Sequence, residues 1–216
     1  ILDADFLVRL DETDALKIFQ GRDIVIPMLK ERVAILNNVG SVLLEKYNGE
    51  FATLLKETNL AFDDGKGLVE ILASDFYTFN DVHTYKPIRS VVKFYKKAQL
   101  LLAMLHYTEK AHFTLKDIDK LTVFADYKLP QALRDLGVIE YSDVLARKID
   151  NMILIPAGSD EEIEIRAHTI YASDILCREV NRHRSDRVIS TMIDEFLWLE
   201  GKKSKRNRHI TKTIFY

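Results

Sequence analysis

Apolar residues recur at helical spacing along most of the chain, and little interrupts them. Only four prolines and eight glycines occur, most of them between long periodic segments, and that pattern predicts an all-α fold. A short helix is expected over about Thr13 to Phe19, followed by a turn at Gly21. Pro27 reads as the first residue of a long helix, where a missing N–H costs nothing. Met28, Leu29, Val33, Leu36, Leu43 and Leu44 give that helix an apolar side, and Gly49 is its expected stop. Phe51 to Glu57 and Gly67 to Phe76 read as two shorter helices, and Phe79 to Arg89 as irregular. The next helix is expected from Ser90 to Thr108. From Ala98 to Leu105 it is apolar everywhere except Gln99, the pattern of a central helix buried on all sides.

Thr114 with Asp117 three residues later resembles a capping box, with a helix to about Phe124 behind it. Pro130 and Gly137 bracket a short helix, and Ser142 caps another through about Ile149. Met152 to Pro156 reads as extended. Asp160, Glu161 and Glu162 suit the positive end of a long helix reaching about His183. Ile163, Ala167, Ile170, Asp174 and Cys177 fall on one stripe of it, with Asp174 read as a structural hydrogen-bonder. A last helix is expected over Arg187 to Leu199, then a basic stretch from Gly201 to His209 and an extended end, Ile210 to Tyr216. The whole reads as a single domain over residues 1–216. The chain starts at Ile1 without a methionine, so a preceding N-terminal segment is expected to be missing.

Composition narrows the function. Hydrophobic residues make up 47% and charged residues 30%, and the net charge is −2, so no strong field draws the surface to nucleic acid or to a membrane. No apolar run approaches the ~18 residues of a membrane span. The single cysteine, Cys177, rules out an internal disulfide, sits among apolar residues and reads as inert; a reducing, cytoplasmic setting fits best. Glycine-loop nucleotide motifs, zinc-protease motifs and paired cysteines do not occur, and the six histidines show no metal-ligand spacing. Neither a cofactor nor a metal is expected. The run KKSKRNRH at 202–209 reads as a solvated tail.

What remains is Asp126, an acid framed by Phe124 and Tyr127 just before a helix. Two readings stand. It is a turn aspartate that caps the helix near Leu129, or it is a carboxylate put to use. Lys96 and Lys97 enter the most apolar helix, where each can snorkel to solvent or face a pocket. Lys96 shares a face with Gln99, the one polar break in that helix, and is the better pocket candidate. This set suits cleavage of an N-glycosidic bond. A carboxylate can stabilise an oxocarbenium-like state and orient water, aromatic rings can stack a base, and lysine can hold a phosphate as a point charge. Asp126 would be the catalytic group, Phe124 and Tyr127 its frame, and Lys96 a contact to a ribose or phosphate oxygen. Tyr95, Lys128 and His209 complete the candidate substrate-binding set.

Two resemblances sharpen this. FADYKLPQALRDLGVI at 124–139 looks like the aspartate-bearing helix of helix-hairpin-helix DNA glycosylases, with Asp126, Leu129, Leu133, Leu136 and Gly137 fitting; the glycine-rich hairpin that precedes the aspartate there is not visible. More closely, nearly all of the chain resembles the queuosine salvage protein family, the queuosine 5′-phosphate N-glycosylase/hydrolases. The matching pieces include IPMLKERVAILNNVGSVLLEKYNGEF at 26–51, FND at 79–81, FYKKAQLLLA at 94–103, LTVFADYKLPQALRDLGVIEYS at 121–142, EEIEIRAHTI at 161–170 and HITKTIFY at 209–216. Lys97 stands where that family usually has arginine. The resemblance implies a compact multi-helix domain related to the helix-hairpin-helix glycosylases, with an extended C-terminal end. It implies hydrolysis of queuosine 5′-monophosphate to queuine and ribose 5-phosphate, with Asp126 as the catalytic carboxylate and Lys96 in the substrate site; Asp81 is a further, weaker candidate, for the charged amine of queuine. The partner expected is thus a small nucleotide, with no stable nucleic acid and no membrane. A DNA base-excision glycosylase and a non-catalytic helical interaction module are the competing readings.

Overall fold

A computed structural model describes residues 3–22, 24–109 and 112–216. The chain divides into two compact units, residues 1–80 and 81–216, where the sequence reading has one domain. The fold is mostly helical, and the expected all-α character is modified by one small hairpin.

The first unit holds α1 (Ala4–Arg9), α2 (Glu12–Ile18), α3 (Leu29–Lys46), α4 (Phe51–Leu54) and α5 (Leu68–Asp75). Asp3 and Asp11 cap α1 and α2 by accepting N–H bonds from Asp5 and Asp14. Asn37 on α3 donates to the carbonyls of Leu7, Val8 and Leu10 and so pins α1 against it. Pro27 is not the first residue of α3. It lies in the turn before, and Met28, at φ 60°, makes the entry. Gly49, at φ 78°, does close the helix end, its N–H bonding the Leu43 carbonyl at 2.8 Å.

The second unit opens with the antiparallel hairpin, β1 (Val82–Tyr85) and β2 (Ser90–Lys93), in a register that pairs Val82 with Lys93 and Tyr85 with Ser90. A helix was expected from Ser90, but the adjacent Val91 and Val92 suit a strand, and Arg89 turns the chain at φ 50°. Tyr95, at φ 49°, ends the strand's course, so α6 runs only from Lys96 to Tyr107. Nor is α6 buried on all sides. Ala98, Leu102 and Ala103 are buried, but Met104 is 61% exposed and Tyr107 55%. Residues 112–127 carry a single 3-10 turn, Ile118–Lys120, in place of the expected capped helix. Here tertiary bonds prevail over local propensity: the Gln99 side chain accepts the Thr122 N–H at 2.9 Å and donates to the Phe94 carbonyl at 2.8 Å.

The remaining helices follow expectation within a few residues. They are α7 (Lys128–Asp135), α8 (Asp143–Asp150), α9 (Asp160–Arg182) and α10 (Ser190–Lys203). Ser142 and Ser159 cap α8 and α9. One core gathers Val123, Leu129, Leu133, Cys177, Ile193 and Leu197; another gathers Leu145, Ile149, Ile155 and Ile165. Burial pushes the Cys177 thiol up from its ordinary range, as an inert core thiol requires. The expected stripe on α9 is only partly right. Asp174 is exposed and pairs with Arg178 at 2.9 Å, whereas the buried row is Glu162, Arg166, Thr169, Ser173 and Cys177. The extended run and the C-terminal end meet in a parallel bridge, Leu154 with Ile210. Among the described residues no helix is long and apolar enough to cross a membrane.

Candidate active site

Within the second unit, two helices and one loop converge on a cavity. Lys96, Leu100, Ala103, Met104 and Tyr107 recur on one face of α6; Thr191, Asp194, Glu195 and Trp198 recur on one face of α10. Between them the segment before α7 brings Phe124 and Asp126, with Leu129 from the first turn of α7 itself. The cavity holds about 560 Å³, a size that suits a small-molecule ligand. The apolar excess of α6 thus faces this hollow, which explains both its sequence pattern and its exposure.

Asp126 caps α7 and also lines the cavity. Its Oδ1 accepts the N–H groups of Lys128 at 2.6 Å and Leu129 at 3.3 Å, closing the first turn of α7. The same carboxylate lines the cavity, and its other oxygen takes no protein donor among the described residues. A carboxylate tied to helix N–H groups is oriented by the backbone and needs no side-chain partner.

A second acid, Asp194, faces the same space. It accepts the Phe124 N–H at 2.6 Å. Burial pushes its carboxyl up to about 7; the Phe124 N–H opposes that rise, the Asp126 charge adds to it, and Lys96 again opposes it. Asp126 and Asp194 thus line the cavity in unlike surroundings, with a third acid, Glu195, beside them and Lys96 as the only basic residue lining it among those described. Gly201 fixes how closely α10 approaches. A Cβ there would stand 2.7 Å from the Lys128 carbonyl oxygen, while Lys128 Nζ donates to the Gly201 carbonyl at 3.0 Å.

Of the residues named from sequence, Asp126, Lys96 and Phe124 meet at the cavity. The others are engaged elsewhere. Lys128 clamps α7 to α10 through Gly201 and also bonds Gln131 at 3.1 Å. Tyr127 lies under the Arg208 guanidinium, 4.4 Å from the ring centroid. Tyr95 forms the left-handed turn before α6, its N–H facing the Asp81 carbonyl at 3.4 Å. His209 is buried beside Tyr216, and burial, with the charges of Arg166 and Arg208, pulls its imidazole down to about 4. Gln99 does not share the cavity with Lys96, because its amide is spent on Phe94 and Thr122. Lys97 does not reach solvent freely: its Nζ donates to the Ile214 carbonyl at 2.8 Å, and burial first, then Lys96, lower its amine to about 8.

Asp81 is 1% exposed and lies in a buried ionic cluster. Arg166 binds its two oxygens at 2.5 and 3.0 Å, and His83 Nε2 donates to it at 3.0 Å. Burial raises its carboxyl, but the His83 and Arg166 bonds win and hold it below the usual range. Sequence reasoning missed Arg166, Asp194, Glu195 and Trp198. Asp194 and Trp198 are four apart on an amphipathic helix, a signal that was present but reads equally well as a solvated face. Among the described residues no three His, Cys, Asp or Glu side chains are arranged to hold a metal ion.

The chain matches the family described as Queuosine salvage protein over residues 1–216. It is 36% identical to a queuosine 5′-phosphate N-glycosylase/hydrolase of Sphaerobacter thermophilus, covering 100% of this chain and 66% of that protein. The proteins of the same name from Dictyostelium discoideum and Bos taurus are 34% and 28% identical, over 99% and 90% of this chain and 65% and 60% of theirs. The chain therefore spans about two-thirds of the length of these relatives. A match that runs the full length of the chain and includes the residues lining the cavity places it plainly: it belongs to the queuosine salvage protein family.

Proposed function

We propose that this chain hydrolyses the N-glycosidic bond of queuosine 5′-phosphate and releases queuine for reuse in tRNA modification, in the cytoplasm. The observation that carries the reading is the pairing of Asp126 with Asp194 in one aromatic-walled cavity that also holds Lys96. Asp126 stabilises positive charge developing at C1′ as the bond to the base breaks, and it orients the attacking water. Asp194, whose carboxyl titrates near neutrality, supplies the proton that leaves with the base. Water delivers hydroxyl to C1′, its proton passes to Asp126 and then to solvent, and solvent returns a proton to Asp194. Phe124, Tyr107 and Trp198 offer ring surface to the base. Glu195, at the cavity wall, would meet the amine of queuine, the role that the sequence reading considered for Asp81. The resemblance to helix-hairpin-helix glycosylases enters this reading through one feature, an aspartate just before the helix Lys128–Asp135, with Gly137 two residues beyond its end.

The test is turnover. Queuosine 5′-phosphate is expected to be cleaved with a kcat/KM at least about tenfold above that of the unphosphorylated nucleoside, because remote phosphate binding is converted into placement of the reacting bond. Release of free queuine, followed by chromatography, measures both. Equal values for the two substrates would remove the phosphate from the reading.

The two adjacent lysines separate in the same assay. Lys96→Met is expected to lower kcat/KM for the phosphorylated substrate about tenfold or more with little change in Tm, since Lys96 lines the cavity. Lys97→Met should do the reverse, losing a buried tie to the Ile214 carbonyl and lowering Tm by several degrees while kcat/KM moves less. Interchanged results would put the substrate on the other face of α6.

A further inference from the structure

Asp126 and Lys96 reach the cavity from different elements, and one buried side chain is bonded to both supports. Arg166, in the middle of α9, is fully buried, its guanidinium held between the rings of Phe94 at 3.9 Å and Tyr216 at 4.6 Å. Its Nε donates to the carbonyl of Ala125, the residue before Asp126, at 3.1 Å. Its two terminal nitrogens grip Asp81 at 2.5 and 3.0 Å, and one also reaches Glu162 at 3.2 Å. Asp81 in turn accepts the backbone N–H of Lys96 at 3.4 Å, and its own carbonyl accepts that of Phe94 at 2.9 Å. Three separate donor directions of one guanidinium are thus used on two strands of support. A lysine has no such fork.

We propose that Arg166 and Asp81 are the positioning pair of this site: together they fix the backbone before Asp126 relative to the start of α6, and so set the catalytic carboxylate against Lys96. Neither residue lines the cavity, so neither touches substrate. Their spacing explains why an ion pair of this kind persists in the interior, where a buried charge pair is a weak source of stability but a firm constraint on geometry. The aromatic sandwich shields the cluster from water and prevents the guanidinium from rotating out of register.

The kinetic arm of the test rests on the glycosidase reading; the structural arm does not. Arg166→Lys keeps the charge toward Asp81 but has no group for the Ala125 carbonyl. In the full chain its kcat is expected to fall ten- to a hundredfold with KM changed less than threefold, per folded molecule judged by active-site-independent unfolding curves. Asp81→Asn, which weakens the link to Lys96, should raise KM more than Arg166→Lys does. A role in stability alone predicts lower Tm with kcat per folded molecule unchanged, and that outcome overturns the proposal. Amide hydrogen exchange is the second arm. The N–H groups of Lys128 and Leu129, which bond Asp126, and that of Lys96 should exchange at least tenfold faster in Arg166→Lys, while amides in α8 keep their wild-type protection. If the wild-type chain does not cleave the nucleotide, the glycosidase reading fails and the exchange result still decides the positioning role; unchanged exchange at all three amides sinks it.

Discussion

Asp126→Asn is expected to reduce turnover of queuosine 5′-phosphate at least a hundredfold while leaving Tm within a few degrees of wild type. The amide retains an oxygen that can accept the N–H groups of Lys128 and Leu129, so the first turn of α7 keeps its cap. What is lost is the negative charge at the cavity, opposite the oxocarbenium-like state. Removing one such electrostatic contact costs roughly 3 kcal/mol or more of transition-state stabilisation, about a hundredfold in rate. Asp126→Ala makes the contrast. It removes cap and charge together, so it should lose activity to the same degree and also lose about 1 kcal/mol of stability. Capping and catalysis are then separated by two substitutions at one position. An Asn variant with near-normal kcat would confine Asp126 to its cap.

The helical character of the chain was legible from spacing because apolar residues recur at helical intervals along most of it, and some helices carry a side-chain cap. Ser142 and Gly137 stand where the sequence puts them. The failures share a cause. Between Phe79 and Phe124 the backbone is held by side chains many residues away along the same stretch: Gln99 takes the Thr122 N–H, 23 positions on, and Asp81 takes the N–H of Lys96, 15 positions on. Such bonds leave no period in the sequence, and a window that reads only spacing extends α6 backwards through β2. The apolar run in α6 was also ambiguous in principle. A helix face that borders a ligand cavity is as apolar as one that borders a core, and only the exposure of Met104 and Tyr107 tells them apart.

The site was half legible, for a related reason. Asp126 stood out because an acid beside aromatic residues is costly without a partner. Asp194 did not, because Asp194 and Glu195 together look like the solvated side of an amphipathic helix, and one of them is. Arg166 was hidden by Glu162, since a pair four apart on a helix is usually a surface ion pair. In the structure both are fully buried, and the second carboxylate that makes this possible, Asp81, is 85 residues away in sequence. Charge clusters assembled over such distances leave no local pattern.

Asp194→Asn is expected to lower activity and raise stability, and both effects should follow the one titration, in opposite directions. In the folded chain burial holds this carboxyl at about 7, against 3.8 for an ordinary aspartate. The proton is bound more tightly folded than unfolded, so the contribution to stability is complete below about pH 4 and is lost as pH rises through about 7. At pH 8 the wild-type chain carries a buried negative charge near Asp126, at a cost of a few kcal/mol. The amide carries none and still accepts the Phe124 N–H, so the variant should melt several degrees above wild type at pH 8 and differ little at about pH 4. Activity follows the opposite sign. As the proton donor to the departing base, Asp194 is active when protonated, so kcat/KM of the wild type should fall as pH rises through about 7. Ionisation of the substrate phosphate near pH 6 would instead strengthen binding to Lys96 as pH rises, so the two titrations move the rate in opposite directions. In Asp194→Asn kcat/KM should drop about a hundredfold or more and lose its alkaline limb. A wild-type profile that climbs through pH 7, with the climb absent in the variant, would make Asp194 the base that activates water and leave the proton for the leaving group to come from elsewhere.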